Sequence, residues 1–141
     1  MVRRTFPYDS DGVPSLDVRI QVQGRSSADL SGTVDSGASK TVLSMADAEE
    51  LGLTSADLHD AGTAIVADGS KVGYLTTDMP IRAQVLRPSP TGELHPWGPV
   101  FAINPVFVEG ASPLWGQADF FASFGVMFWR NSNPAAFELG F

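Results

Sequence analysis

The triplet Asp35-Ser36-Gly37, with Ala38 directly after it, holds the residues of this sequence best suited to chemistry. A carboxylate on a tight loop can act as a general acid or base, because the loop fixes where its oxygens point. A neighbouring hydroxyl can hydrogen-bond to the backbone, and a glycine lets a second segment or a substrate approach closely. The same residue types also form a simple Asx turn between two strands, so the triplet alone leaves both interpretations open.

The composition narrows the kinds of site that the chain can build. Its 141 residues are 43% apolar and 18% charged, which is typical of a folded protein, and we expect one domain over residues 1–141. The net charge of -7, with no basic cluster beyond Arg3 and Arg4, argues against nucleic acid as a partner. The chain has no cysteine and only two isolated histidines, His59 and His95, so we expect neither a metal site nor a cofactor.

Membrane association is not expected from the sequence either. No apolar run approaches the length of a transmembrane helix, and no long apolar stretch follows the basic residues near the start. For the chain as given, these observations favour a cytoplasmic location.

Alternation of apolar and polar residues predicts the strands that must position the triplet. The clearest run is Leu16–Gln23, which has the period of a half-buried strand, and a second strand over Leu30–Val34 delivers Asp35 at its end. After a short apolar step, Ser44 and an acidic residue three positions later predict a short helix that ends at Gly52.

The second half of the chain also favours strands and turns. Asp68-Gly69 predicts a hairpin turn between strands at Ala64–Ala67 and Ser70–Leu75, because these residue types tolerate the positive φ angles of tight turns. Four prolines and two glycines predict an irregular surface excursion over Arg87–Pro99. The other predicted elements are strands at Met79–Val85, Val100–Ile103 and Val106–Val108, a helix at Gln117–Phe124, and a closing hairpin formed by Val126–Trp129 and Phe137–Phe141. The sum is an all-β fold, a closed or partly closed barrel with one or two short helices.

The surroundings of the triplet resemble a known family. The run that begins at Val18, the strand Leu30–Val34, the Asp35-Ser36-Gly37-Ala38 loop and the apolar step Thr41–Leu43 are similar to the N-terminal half of retropepsin-like aspartic proteases.

A second mark of that family is two apolar residues and a glycine that lead into a short helix, and Leu114-Trp115-Gly116 with the residues up to Phe121 resembles it. The Asp68-Gly69 hairpin lies between the two marks, where the family carries its flap. The resemblance therefore runs in the family's order over most of the chain.

The resemblance implies an aspartic endopeptidase that works as a homodimer. Such enzymes need two adjacent carboxylates, one protonated and one ionised, and this chain has a single triplet, so each subunit would contribute its Asp35 on a two-fold axis. The carboxylate pair would activate a water for hydrolysis of a peptide or protein substrate. Ser36 would hydrogen-bond across the dimer, and Gly37 would line the substrate channel beside Ala38.

The resemblance also assigns Asp68, Gly69 and Ser70 to a flap that closes over an extended peptide, although these residues are equally typical of an exposed turn. Retroviral members follow the triplet and its alanine with acidic residues that hold the substrate backbone. Here Ser39 and Lys40 stand in those places, so the family's subsite preferences do not carry over.

Two other functions remain open at this point. The chain could be a non-catalytic dimeric module on the same fold, which binds an extended peptide and keeps Asp35 as a structural turn. It could also be an unrelated β-barrel that encloses a small apolar ligand as a monomer. The aromatic residues of the closing hairpin fit either a core or an interface between subunits: Phe128, Trp129, Phe137 and Phe141.

Overall fold

The computed structural model describes residues 1–65 and 68–141. Its strands are β1 (Arg3–Pro7), β2 (Ser15–Val22), β3 (Ser27–Val34), β4 (Val42–Ser44), β5 (Leu58–Ile65), β6 (Lys71–Thr77), β7 (Ile81–Pro88), β8 (Leu94–Ile103), β9 (Val106–Val108), β10 (Leu114–Trp115), β11 (Gly125–Trp129) and β12 (Ala136–Gly140). Two short helices accompany them, α1 (Met45–Glu50) and α2 (Phe120–Ser123), with a 3-10 turn at Ser55–Asp57.

The strands form two sheets that share one hydrophobic core. Nine strands are ordered β5-β6-β9-β4-β10-β3-β2-β7-β8, and three more are ordered β1-β12-β11. Most neighbours are antiparallel, but β10 runs parallel to β3, and β4 runs parallel to β9. Buried side chains from both sheets belong to a single cluster, so the prediction of an all-β fold is confirmed.

The sheet does not close, so the closed form of the predicted closed or partly closed barrel is excluded. The nine-stranded sheet ends at β5 on one side and at β8 on the other, and these two strands are not neighbours in it. One reason lies in β8, where Pro96 and Pro99 have no N–H to donate to a further strand. The open sheet also removes the basis for the small-ligand barrel that the sequence left open.

Local signals correctly predicted the elements around the triplet. The alternating run forms β2, whose Val18, Ile20 and Val22 are fully buried. Helix α1 begins where expected, because the Ser44 hydroxyl accepts from the Asp47 N–H and the Asp47 carboxylate accepts from the Ser44 N–H, both at 2.9 Å.

Other elements differ from the prediction. The proline-rich stretch is not irregular, because β7 and β8 pair across a turn at Gly92, whose φ is +87°, and the prolines of β8 are tolerated at the edge of the sheet. Strand β1 was not predicted. Helix α2 is shorter than the expected Gln117–Phe124, and Val66 and Ala67 of the predicted flap strand lie outside the described residues.

In the part of the chain that is described, no helix is long and apolar enough to cross a bilayer.

Candidate active site

Asp35 lies directly after β3, at the point where the chain leaves the core. Val34 is buried and Asp35 is half-buried, so the carboxylate is the first side chain beyond the apolar interior. The Gly37 N–H donates to Asp35 Oδ1 at 2.8 Å, and the Ala38 N–H donates to the Asp35 carbonyl at 3.2 Å. The triplet is therefore an Asx turn, and this turn fixes the orientation of the Asp35 carboxylate.

Strand β10 and the residues after it form hydrogen bonds with this turn. β10 inserts between β3 and β4, with Trp115 beside Val34 in the register. The Asp35 N–H donates to the Trp115 carbonyl at 3.1 Å, and the Gln117 N–H donates to the Ala38 carbonyl at 2.9 Å. The two ends of the loop are thus tied to the same distant segment.

Gly116 lies where this segment comes closest to the loop. A β-carbon there would overlap the Lys40 carbonyl and lie 2.9 Å from the Ala38 carbonyl oxygen. Only a glycine allows the backbones to come this close. The glycine of the second sequence mark therefore has a physical role, which is to let the two motifs pack against each other.

Gln117 adds a side-chain bond to the same support. Its Nε2 donates to the Ser36 carbonyl at 2.7 Å, and the neighbouring Ala118 N–H donates to the Ser39 carbonyl at 3.0 Å. Sequence reasoning included Gln117 in the second family mark without giving it a role. The available signal was a polar residue directly after the motif glycine.

Trp115 packs away from the turn. Its indole is buried and its Nε1 donates to the Leu16 carbonyl at 3.1 Å, with Gly32 of β3 leaving room for the ring. The large side chain therefore belongs to the core beneath β3, while only its backbone contacts the Asp35 turn.

A cleft of about 690 Å³ opens beside the turn, and we call it the Asp35 cleft. One wall is the loop itself, through Asp35, Gly37 and Ala38, and the opposite wall belongs to the hairpin of β5 and β6. Aliphatic side chains dominate the lining: Val42, Ile65, Val72, Val106, Val108 and Leu114. A cleft with this lining suits a bound chain with apolar side chains.

The hairpin predicted as a flap is thus beside the cleft, but its predicted tip is not. Thr63 and Tyr74 of the hairpin strands line the cleft, whereas Asp68, Gly69 and Ser70 do not. The tip forms its own turn, in which the Ser70 hydroxyl and N–H both donate to Asp68 Oδ1 and hold the pKa of that carboxyl below its usual value.

Ser36 is exposed and does not line the cleft. Within residues 1–65 and 68–141, its only hydrogen bond to a side chain is the one that its carbonyl accepts from Gln117, and its hydroxyl has no partner. The structure therefore brings together Asp35, Gly37 and Ala38 at the cleft, with the Ser36 side chain directed elsewhere.

Two charged side chains line the cleft among the residues described, Asp35 and Lys40. The Asp35 cleft of one chain thus contains a single carboxylate. His59 and His95 lie on β5 and β8, near Asp78 and Glu93 respectively, and neither lines the cleft. No group of three potential metal ligands is close enough to hold an ion in the described part of the chain.

Comparisons with known proteins agree with this arrangement. Residues 18–83, which include the Asp35 turn and the hairpin of β5 and β6, match the family model described as aspartyl protease. A crystal structure of a retropepsin-like aspartic protease from Rickettsia conorii aligns over 98% of this chain and 90% of its own, with a TM-score of 0.59 and 18% identity. No curated protein is significantly similar in sequence. The chain therefore has the fold of retropepsin-like aspartic proteases, and its residues 18–83 match an aspartyl protease family model.

Proposed function

We propose that the protein is a homodimeric aspartic endopeptidase in which each subunit supplies Asp35. The observation that carries the proposal is the position of Asp35, oriented by an Asx turn and a distant support at the edge of an apolar cleft. The family match supports peptide hydrolysis in general. A lone carboxylate does not complete the chemistry of this class, so a second copy of the chain is required.

The reaction follows from two carboxylates that share one proton. The ionised Asp35 takes a proton from the bound water, whose oxygen forms a bond to the scissile carbonyl carbon, while the protonated Asp35 donates to the carbonyl oxygen. The resulting tetrahedral diol collapses as the C–N bond breaks: the protonated Asp35 donates its proton to the leaving amine, and the ionised Asp35 takes a proton from one diol hydroxyl, whose oxygen becomes the carbonyl oxygen of the product acid. No covalent enzyme intermediate forms, and the dyad ends with one proton as it began.

The three-stranded sheet offers a surface for the second copy. β11 and β1 are the two edges of this sheet, and exposed apolar side chains cluster there. Trp129 is 46% exposed and Phe128 is 38% exposed, whereas Phe137 is fully buried, so the closing hairpin contributes to both core and surface. Because β11 begins only a short distance after Gln117, contacts on this sheet lie close in the chain to the support of the Asp35 turn.

The test is cleavage of a mixed peptide library by the wild-type chain and by Asp35→Asn. We expect the substitution to lower kcat by about a thousandfold or more while the dimer persists, because the amide cannot exchange the proton. Asp11→Asn, which changes an exposed carboxylate outside the cleft, is the matched control and should cleave as the wild type does.

A peptide-binding module is the second candidate, and one observation favours it. The Asx bond to Gly37 gives Asp35 a structural role even without catalysis. Equal binding of peptides by both chains, with no cleavage by the wild-type dimer, would establish this alternative. Activity per mole that falls on dilution, together with inhibition by a hydroxyl-containing peptide isostere, would establish the protease.

A further inference from the structure

Lys40 is the one cation that lines the Asp35 cleft among the residues described. It follows the catalytic turn by a few residues, and its Nζ lies 5.8 Å from the centroid of the Tyr74 ring on the opposite wall. The electron-rich ring face attracts the ammonium group and favours a position across the cleft. Lys40 thus connects the loop side of the cleft with the flap hairpin.

The charge of Lys40 is not neutralised by the chain itself. In the described ranges, Arg3, Arg19 and Arg25 each lie within 4.0 Å of a carboxylate, at Glu138, Asp29 and Asp57 respectively, but Lys40 has no such partner. Its hydrogen-bond donors are therefore available to a ligand in the cleft. The neighbouring walls are aliphatic, so a bound peptide would displace water from around the ammonium and strengthen its attraction to an anion.

We propose that Lys40 makes the enzyme select peptides with an aspartate or glutamate side chain close to the scissile bond, next to an aliphatic side chain that fills the cleft. This inference rests on the proposed protease function and assigns its substrate class. In a two-fold dimer the two Lys40 side chains lie on opposite sides of the dyad, so acidic residues are favoured both before and after the scissile bond.

The overall charge of the protein opposes the approach of acidic peptides, so only a contact within the cleft can favour them. A net charge of -7 repels acidic peptides at long range, so a preference for them must come from a direct contact. The repulsion also means that acidic peptides without a carboxylate near the scissile bond should be poorer substrates than neutral ones.

The test uses pairs of fluorogenic peptides that differ only in Glu or Gln at one position on either side of the scissile bond. One pair varies a position before the scissile bond and the other pair varies a position after it. In the pair whose Glu peptide the wild-type dimer cleaves faster, we expect the kcat/KM of the Glu peptide to be about threefold above that of its Gln partner, the ratio typical of a partly exposed ion pair. Lys40→Gln should remove this ratio, and Lys40→Glu should shift the preference to a Lys peptide. Arg87→Gln, which removes one positive charge outside the cleft, should keep the wild-type ratio.

Two outcomes of the cleavage assay would overturn the inference. Equal rates for Glu and Gln peptides with the wild type would do so and would leave the protease function standing. An equal loss of both rates in Lys40→Gln would assign Lys40 to loop shape instead. If the wild type cleaves no peptide, the protease function fails, and anisotropy of labelled Glu and Gln peptides then decides whether Lys40 selects acidic ligands for a binding module.

Discussion

The side-chain amide of Gln117 donates a 2.7 Å hydrogen bond to the carbonyl of Ser36, although the two residues are 81 positions apart in the chain. The bond ties the middle of the Asp35 turn to the segment that also holds both of its ends. Because the position of a catalytic carboxylate must be held within a fraction of an ångström, this support bears directly on the proposed role of Asp35.

Gln117→Ala should therefore affect turnover more than folding. We expect kcat to fall about tenfold with KM nearly unchanged, since Gln117 does not line the Asp35 cleft but its loss removes a positional restraint on the carboxylate. Gln84→Ala is the matched control, because the Gln84 amide donates to the Gly98 carbonyl at 2.9 Å away from the cleft. Equal losses of kcat in both variants, or a change in KM alone, would contradict a positioning role.

Gly116→Ala should destabilise the fold. The added β-carbon overlaps the Lys40 carbonyl, and the two backbones must separate, at a cost of about 3 kcal/mol. Urea unfolding measures the difference in the free energy of unfolding. Gly73→Ala is the control, because a β-carbon at Gly73 meets no atom within 4 Å, and its unfolding midpoint should stay close to that of the wild type.

The stability of the protein should depend on Asp57 in a pH-dependent way. The Thr54 N–H, the Arg25 guanidinium and the Thr54 hydroxyl donate to this carboxylate and hold its pKa below the usual value. The folded state thus favours the ionised form, and its contribution is complete above the unfolded pKa of about 4 and is lost as the pH falls through the folded pKa.

Asp57→Asn should accordingly lower the melting temperature at pH 7, and its difference from the wild type should shrink below about pH 4. Asp11→Asn controls for the loss of one exposed carboxylate. A difference for Asp57→Asn that stays constant down to pH 2 would show that the bonds of Asp57 do not favour its ionised form.

Trp129→Ser should weaken the proposed dimer. Removing this exposed indole takes apolar area from the surface of the three-stranded sheet, and loss of one such interface anchor costs about 2 kcal/mol of association free energy. Sedimentation should show more monomer and activity should fall in parallel. Val100→Ser changes a comparably exposed apolar residue on β8 and should leave the assembly intact. Identical sedimentation of both variants would exclude this sheet as the interface.

Local features of the sequence were sufficient for most of the elements near the site. β2 and α1 follow from alternation and from the Ser44 cap, which are properties of neighbouring residues. The prediction of an irregular segment for the proline-rich stretch is wrong, because proline is unfavourable in a central strand but acceptable at the edge of a sheet. The sequence does not show that β8 is an edge strand.

The contacts that hold the Asp35 turn could not be predicted from residues that are neighbours in the sequence. The contacts of Gly116 and Gln117 join segments that only the tertiary fold brings together, so their roles could not be assigned from spacing. The resemblance to a family correctly indicated that the two motifs belong together. The division of the closing hairpin between a buried Phe137 and an exposed Trp129 likewise depends on which side of the small sheet faces the core.

The parallel pairing of β3 with β10 has a consequence for the order of events during synthesis. A growing chain that has emerged only as far as the hairpin of β5 and β6 already contains Asp35, but it lacks the strand and the glutamine that hold the Asp35 turn. Such long-range pairings form late in folding, because the intervening chain must first be ordered. The nascent protein therefore cannot assemble the Asp35 cleft, or carry out the proposed cleavage, until β10 has left the ribosome.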